Sequence, residues 1–383
     1  MLLHALLFVA AATQTAIVPL LPRLGRAYGL SPAATALLLA APGLATLAIS
    51  MPAGVFADRL GAKRVTVAAA ALLCLAALTQ ALPSYPALVA GRLAFGLAYG
   101  TIWTTGVAWL SGTQPESGSP RLGAVATSAA VGMVAGPAIG GVAADQLGIA
   151  APFVFVGGLA GLLTVLLWRQ PPPEGAARVA RESLRQMTHV APRQPGVLGG
   201  ACALAIVGAV GGVTQLLIPL QLHEAGISAS GTGVAFSAAA GVYILISATV
   251  VRLGQRIRSV RAAALAATML TLSLLPASID ASTAVLVVVL LASTVPRAMV
   301  GTIAYPLATG SAAEADLGHG AVIGLLNGTW ALGLVIAPLL AGAVDQLAGP
   351  GAAYLATLVP AALAALWLLA WAALQPRPAL KVV

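Results

Sequence analysis

The chain has 383 residues, 60% of them apolar and only 8% charged, with a formal net charge of +9. A soluble domain of this length would spread charge over its surface, so the composition excludes an ordinary water-soluble enzyme or binding module. The basic excess does not describe a nucleic-acid surface either, because it sits in short loops between apolar runs and gathers on no single face.

Taken in chain order, apolar runs cover 2–21, 33–56, 65–82, 86–109, 122–144 and 151–168, then 196–221, 232–251, 262–279, 283–308, 320–344 and 351–374. Each is long enough to cross about 30 Å of hydrocarbon as a helix. The expected fold class is all-α and integral to the membrane, with twelve transmembrane helices in two six-helix bundles. The first run is too long for a removable signal peptide and lacks its basic start and cleavage pattern. The stretch 169–195, with Pro171-Pro172-Pro173 and several arginines, is the long polar segment. It predicts an N-terminal bundle over 1–168, a linker over 169–195 and a C-terminal bundle with a short tail over 196–383.

The halves repeat one another. Ile17-Val18-Pro19-Leu20 matches Leu217-Ile218-Pro219-Leu220, and Gly29-Leu30-Ser31 matches Gly226-Ile227-Ser228. Gly141 to Asp145-Gln146-Leu147 matches Gly342 to Asp345-Gln346-Leu347. A parallel repeat of this kind relates two bundles by an axis along the membrane normal, and rocking one against the other gives alternating access to a midplane site.

Loop charge sets the orientation. Arg59, Lys63, Arg64, Arg121, the linker arginines, Arg252, Arg256, Arg258, Arg261, Arg377 and Lys381 fall in one set of alternate loops, whereas Arg23 and Arg26 fall in the other. The positive-inside rule then places both termini and the linker in the cytoplasm. Cys74 and Cys202 lie within apolar runs and read as small core residues, so neither a disulfide nor a metal site is expected, and no cofactor. Lys63 and Lys381 are the only lysines among 19 basic residues, a bias of GC-rich coding that fits a bacterial cytoplasmic membrane.

Ionisable residues within spans default to function. Arg92 and Arg297 are the two clear cases, Arg297 near mid-span and Arg92 closer to one end, where a snorkelling structural role is the alternative. Arg92, Tyr99 and Trp103 are spaced by seven and four and share a helix face. With Gln14, Gln215, Tyr243, Asn327 and Trp330 they make up the expected cavity wall, Tyr305 being a further polar aromatic at membrane depth. For each, bonding between helices is the competing role. Every Asp or Glu outside the linker lies at a helix end or in a loop, so a cavity holding arginine should repel permanent cations and favour neutral, zwitterionic or anionic cargo.

Two segments carry a family resemblance. Gly54-Val-Phe-Ala-Asp58-Arg59-Leu-Gly61-Ala-Lys63-Arg64 resembles, at every defined position, the span two–three loop signature of major facilitator transporters. Gly123, Gly132, Gly136, Pro137, Gly140 and Gly141 resemble the span-five signature of the drug:proton antiporter group, and Arg92-Leu-Ala-Phe-Gly96 its span-four signature. The resemblance implies that Asp58 meets the N-terminus of span eleven and holds the cytoplasmic side closed, and that Arg92 serves proton coupling or substrate contact. It implies secondary active efflux of a small organic molecule, proton-driven, by a monomer in contact with membrane lipids and with no nucleic-acid partner. Uptake or uniport of a sugar or metabolite is the alternative, and a non-transporting sensor or scaffold the alternative of another class. The loop charges further predict ion pairs between bundles at an inner gate, joining Glu116, Glu314 and Asp316 to Arg59, Lys63, Arg64 and Arg256. No nucleophile–base set, intramembrane acid pair or P-loop occurs, which argues against an enzyme and against direct ATP drive.

Overall fold

Apolar sequence in a membrane must satisfy its backbone internally, and the described residues do so with helices. The computed structural model describes residues 1–106, 109, 118–171, 194–253, 259–315 and 319–374. Span one is Leu2–Ala16, a 3-10 turn Val18–Leu20 that begins at the Val18-Pro19 step, and Leu21–Ala27. Spans two to six are Pro32–Leu60, Ala62–Gln80, Tyr85–Thr101 running on as a π-helix over Ile102–Gly106, Gly118–Leu147 and Ala151–Trp168. Spans seven to ten are Pro195–Glu224, Ala229–Leu253, Val260–Leu272 with Leu275–Ile279, and Thr283–Glu314. Spans eleven and twelve form one helical stretch, His319–Leu374, broken where Gly349 takes φ 83°. A left-handed conformation there is open to glycine and strained for other residues. The chain thus has the all-helical architecture expected of it. Spans two and five extend a few residues beyond the apolar runs, because the helix continues through flanking polar residues until a glycine or loop ends it.

Chain direction alternates span by span, so the termini share one face; the turns around 28–31, 148–150 and 225–228 lie on the other, here called the distal face. The first half has its own apolar core, built from Leu3, Leu6, Leu7, Leu73, Phe95 and their neighbours. The second half's core, around Leu204, Leu216, Leu290 and Leu326, continues into the distal ends of the first: Ile17, Leu20, Leu21, Leu24, Ala36, Leu38 and Ala144 belong to it. The halves are therefore joined at the distal face. Gly141 abuts the backbone of Ala229 and Ser230, Gly233 that of Pro137, and Gly342 that of Pro32 and Ala33, so spans five and eight, and eleven and two, cross in contact. Between described residues, no hydrogen bond or ion pair joins the halves at the face bearing the termini.

The span-five glycines are used in two directions. A Cβ at Gly132, Gly136 or Gly140 would lie 2.4 Å from the carbonyls of Phe8, Ala12 and Ala16, all on span one. Gly141 instead faces span eight. Pro137 cannot donate to the carbonyl four residues back, so Met133 is free to accept from Thr15 Oγ1 of span one at 3.3 Å. The adjacent Ala138 N–H donates to Ser237 Oγ of span eight at 3.0 Å. Gly123 lies in the same helix, at its far end.

We predict that Gly132→Leu will lose most of its monodisperse protein on size exclusion, since overpacking against fixed backbone costs about 1–3 kcal/mol or more. Gly158→Ala, which would meet nothing within 4 Å, is the neutral control.

Candidate functional site

Proline placement also explains Arg92. Pro42 removes the donor that would satisfy the Leu38 carbonyl, and Arg92 Nε donates to that carbonyl at 2.8 Å. The side chain is fully buried, so it does not snorkel to the membrane surface. Its Nη1 and Nη2 have no partner among the described residues. Gly96 brings span four against the backbone of Pro42, and Thr46 Oγ1 donates to the Gly96 carbonyl at 2.9 Å, closing the seam between spans two and four.

The stripe expected on span four is a continuous ladder with one member that the spacing argument missed. The Arg92 guanidinium lies 5.1 Å from the centre of the Phe95 ring, Phe95 lies 5.7 Å from Tyr99, and Tyr99 6.2 Å from Trp103. Phe95 sits three residues after Arg92 and four before Tyr99, which was the available signal. Trp103 falls in the π-helical segment, a departure from regular geometry that concentrates at functional sites. The ladder packs with the core of the first half. Gln14, on span one, has a buried Oε1 without a partner among the described residues.

The second half assembles a different cluster, from four helices. Arg297 on span ten lies over the Tyr243 ring of span eight at 5.8 Å. One turn on, a Cβ at Gly301 would lie 2.5 Å from Tyr243 Oη, so glycine admits the phenol there. A further turn on, Tyr305 Oη donates to Asn327 Oδ1 of span eleven at 2.6 Å. On span seven, the Cβ position of Gly211 is 3.9 Å from both Arg297 Nη1 and Gln215 Nε2. Arg297, Tyr243, Tyr305, Asn327 and Gln215 therefore converge on one region, whereas no described bond brings Gln14 to it. Trp330 is half-buried, and its carbonyl packs against Gly208 where spans seven and eleven cross.

The loop of 54–64 is placed only in part. Gly61 takes φ 89° as the glycine that ends span two. A Cβ at Gly54 would meet only Thr104 Cγ2 of span four, at 4.0 Å, an ordinary contact. Arg59 and Arg64 are exposed. Lys63 donates to the Gln170 carbonyl at the end of span six, within its own half. The short reach between the start of span three and the end of span six decides this. Glu116, Arg256 and Asp316 lie outside the described residues, as do the side chains of Asp58 and Glu314.

Sequence reasoning overlooked one polar junction. Asp145, on span five, places Oδ2 2.7 Å from the Ser230 N–H and 2.5 Å from Ser230 Oγ, at the N-terminus of span eight. Its Oδ1 pairs with Arg23 Nη2 at 2.5 Å, and Arg23 Nη1 donates to the Ala144 carbonyl at 2.8 Å. A carboxylate at a helix N-terminus is favoured by the free N–H groups and the helix dipole. The signal was Asp145 itself, an acid in an acid-poor chain, together with Ser228 and Ser230 where span eight begins.

Comparison with known proteins agrees with this architecture. The sequence matches the Major Facilitator Superfamily model over residues 3–322. No curated protein matches the sequence. Among solved structures, a bacterial homologue of the human lysosomal transporter Spinster, in an inward-facing and occupied conformation, superposes with TM-score 0.75 at 15% identity, over 97% of this chain and 94% of that one. The nucleoside transporter NupG superposes with TM-score 0.77 at 12% identity, over 96% and 98% of the two chains. A D-xylose-proton symporter does so with TM-score 0.74 at 15% identity, over 96% of each. At such identities the structures speak for the fold alone; with a family match over most of its length, this twelve-span chain belongs to the Major Facilitator Superfamily.

Proposed function

We propose that the protein exports a small neutral, zwitterionic or anionic organic molecule across the cytoplasmic membrane by alternating access, in exchange for protons. The observation that carries this reading is the Arg297–Tyr243–Tyr305–Asn327 cluster, with Gln215 beside it, contributed by spans seven, eight, ten and eleven. Hydrogen-bonding and aromatic groups converging between helices are the usual makings of a small-molecule site. Export is supported by the span-five signature, whose glycines and Pro137 shape the joint between spans one, five and eight. With the termini cytoplasmic, a distal face joined as described corresponds to the inward-facing state, the one that loads cargo for export.

The test is proton movement in proteoliposomes on adding neutral, anionic and cationic compounds, with Asp58→Asn alongside. We expect cargo-dependent proton flux for neutral or anionic compounds and at least tenfold less in the variant. Cargo flux without proton movement would favour uniport instead. That second reading has an observation behind it, since all described carboxylates lie at span ends. An exported monoanion would gain about 2.3 kcal/mol per 100 mV from an inside-negative potential with no proton involved.

A further inference from the structure

We infer that the polar cluster of the second half is an anion site, and that its ligand is an organic carboxylate with an aromatic or unsaturated body. The inference rests on the transport reading above and narrows its cargo. Arg297 brings a full charge and five donors to mid-span, yet its one described hydrogen bond is a 3.5 Å contact from Nη2 to Thr294 Oγ1. Its Nε is buried without a partner among the described residues. Among the described residues no carboxylate lies within ion-pairing distance of it. Isolated charge at membrane depth is costly and calls for a counter-ion.

Donors for one are present. Arg297 Nη1 and the Gln215 amide nitrogen each lie 3.9 Å from where a Cβ on Gly211 would stand, so span seven and span ten bring two donors to the same neighbourhood. A side chain longer than a methyl on residue 211 would crowd both, and glycine leaves them clear. Two neighbouring donors suit a carboxylate, which accepts at both oxygens. Arg92 is the instructive contrast: it is fully enclosed and seated on the Leu38 carbonyl, whereas Arg297 is only half-buried and open to a ligand.

The rest of the cluster describes the body of the ligand. Tyr243 offers a ring face alongside Arg297, and Tyr305 follows two turns further along span ten. Tyr305 donates to Asn327 Oδ1, which leaves the Asn327 amide N–H groups for the ligand's far end. Arg297 and Tyr305 are eight residues apart, a rise of roughly 12 Å along the helix. That span suits a carboxylate at one end, a flat apolar middle and a hydrogen-bond acceptor at the other, as in 4-hydroxycinnamate.

The experiment uses the full chain in nanodiscs and compares 4-hydroxycinnamate with its neutral amide by equilibrium binding. We expect the carboxylate to bind at least tenfold more tightly than the amide. Arg297→Gln should lower carboxylate affinity at least tenfold and amide affinity far less, so that the preference for the acid is lost. Gln215→Leu should weaken the carboxylate several-fold and remains informative if Arg297→Gln does not fold. Equal binding of acid and amide, no binding of the acid, or a preference that survives the loss of Arg297 each overturns the inference. Flux in proteoliposomes separates the two readings: transport of the neutral amide without acid preference keeps the transporter and removes the anion site. Acid-selective binding with no flux of either compound does the reverse.

Discussion

Replacing Asp145 with asparagine is expected to open the distal face. In the present conformation this carboxylate spans both halves: one oxygen accepts from the backbone and hydroxyl of Ser230, the other from Arg23. Charge-assisted hydrogen bonds contribute about 1.5–3 kcal/mol each, and the partly exposed ion pair adds about 1 kcal/mol at most. Asparagine keeps one acceptor and loses the charge, so a net loss of about 2 kcal/mol is reasonable, a shift of roughly thirtyfold in the balance between distal-closed and distal-open states. Spin labels at Ala27 and Ala225, both exposed on the distal face, would report it as growth of a longer distance in a background lacking Cys74 and Cys202. An unchanged distribution would mean that the apolar seam of Leu20, Leu24 and Leu216 holds the face shut alone.

The repeat supplies the control. Asp345 occupies the matching position in the second half, and Gly342 packs on span two as Gly141 packs on span eight. Yet Asp345 makes no described hydrogen bond, and the reason lies in the helix it would cap. Span two begins with Pro32, which has no N–H, and its own Ser31 Oγ already accepts from Ala34 N at 3.2 Å. Asp345→Asn should therefore leave the same distances unchanged.

Arg92 carries the second large effect. Alanine there would vacate the largest fully buried side chain among the described residues and strip the Leu38 carbonyl of the donor that replaces the missing one. We expect a loss of about 3–5 kcal/mol, seen as poor recovery and a large fall in thermal midpoint. Arg92→Met fills most of the volume without a charge and should restore folding. Its cargo-linked proton flux is nonetheless expected to fall at least tenfold, because packing alone does not require a guanidinium with two unpartnered nitrogens at that depth. Normal flux in a well-folded Arg92→Met protein would reduce the arginine to a structural clasp on the Pro42 kink.

These expectations mark how far the sequence could be read. The apolar runs, the repeat anchored by Pro19 and Pro219, and the loop charges are properties of the chain one segment at a time, because bilayer thickness dictates span length and backbone hydrogen bonding dictates helix. Membrane class and the two-bundle fold follow from them without any knowledge of contacts, whereas the family was legible only through the resemblance of the segment 54–64 to a known loop signature. Candidate residues could be named the same way, since a charge or amide in a span is conspicuous wherever it points.

Tertiary structure alone decided who meets whom. Arg92 and Arg297 look alike in sequence, each followed four residues later by glycine. Packing encloses the first against a carbonyl freed by Pro42 and leaves the second open beside Gly211. Asp145 and Asp345 sit in matching motifs, but only Asp145 faces a helix start with N–H groups to offer. Lys63 meets the Gln170 backbone carbonyl of its own half, a neutral partner that loop charge does not point to. The physical reason is common to all three: hydrogen bonds act over about 3 Å, so partner choice depends on helix rotation and crossing, which one-dimensional periodicity does not specify.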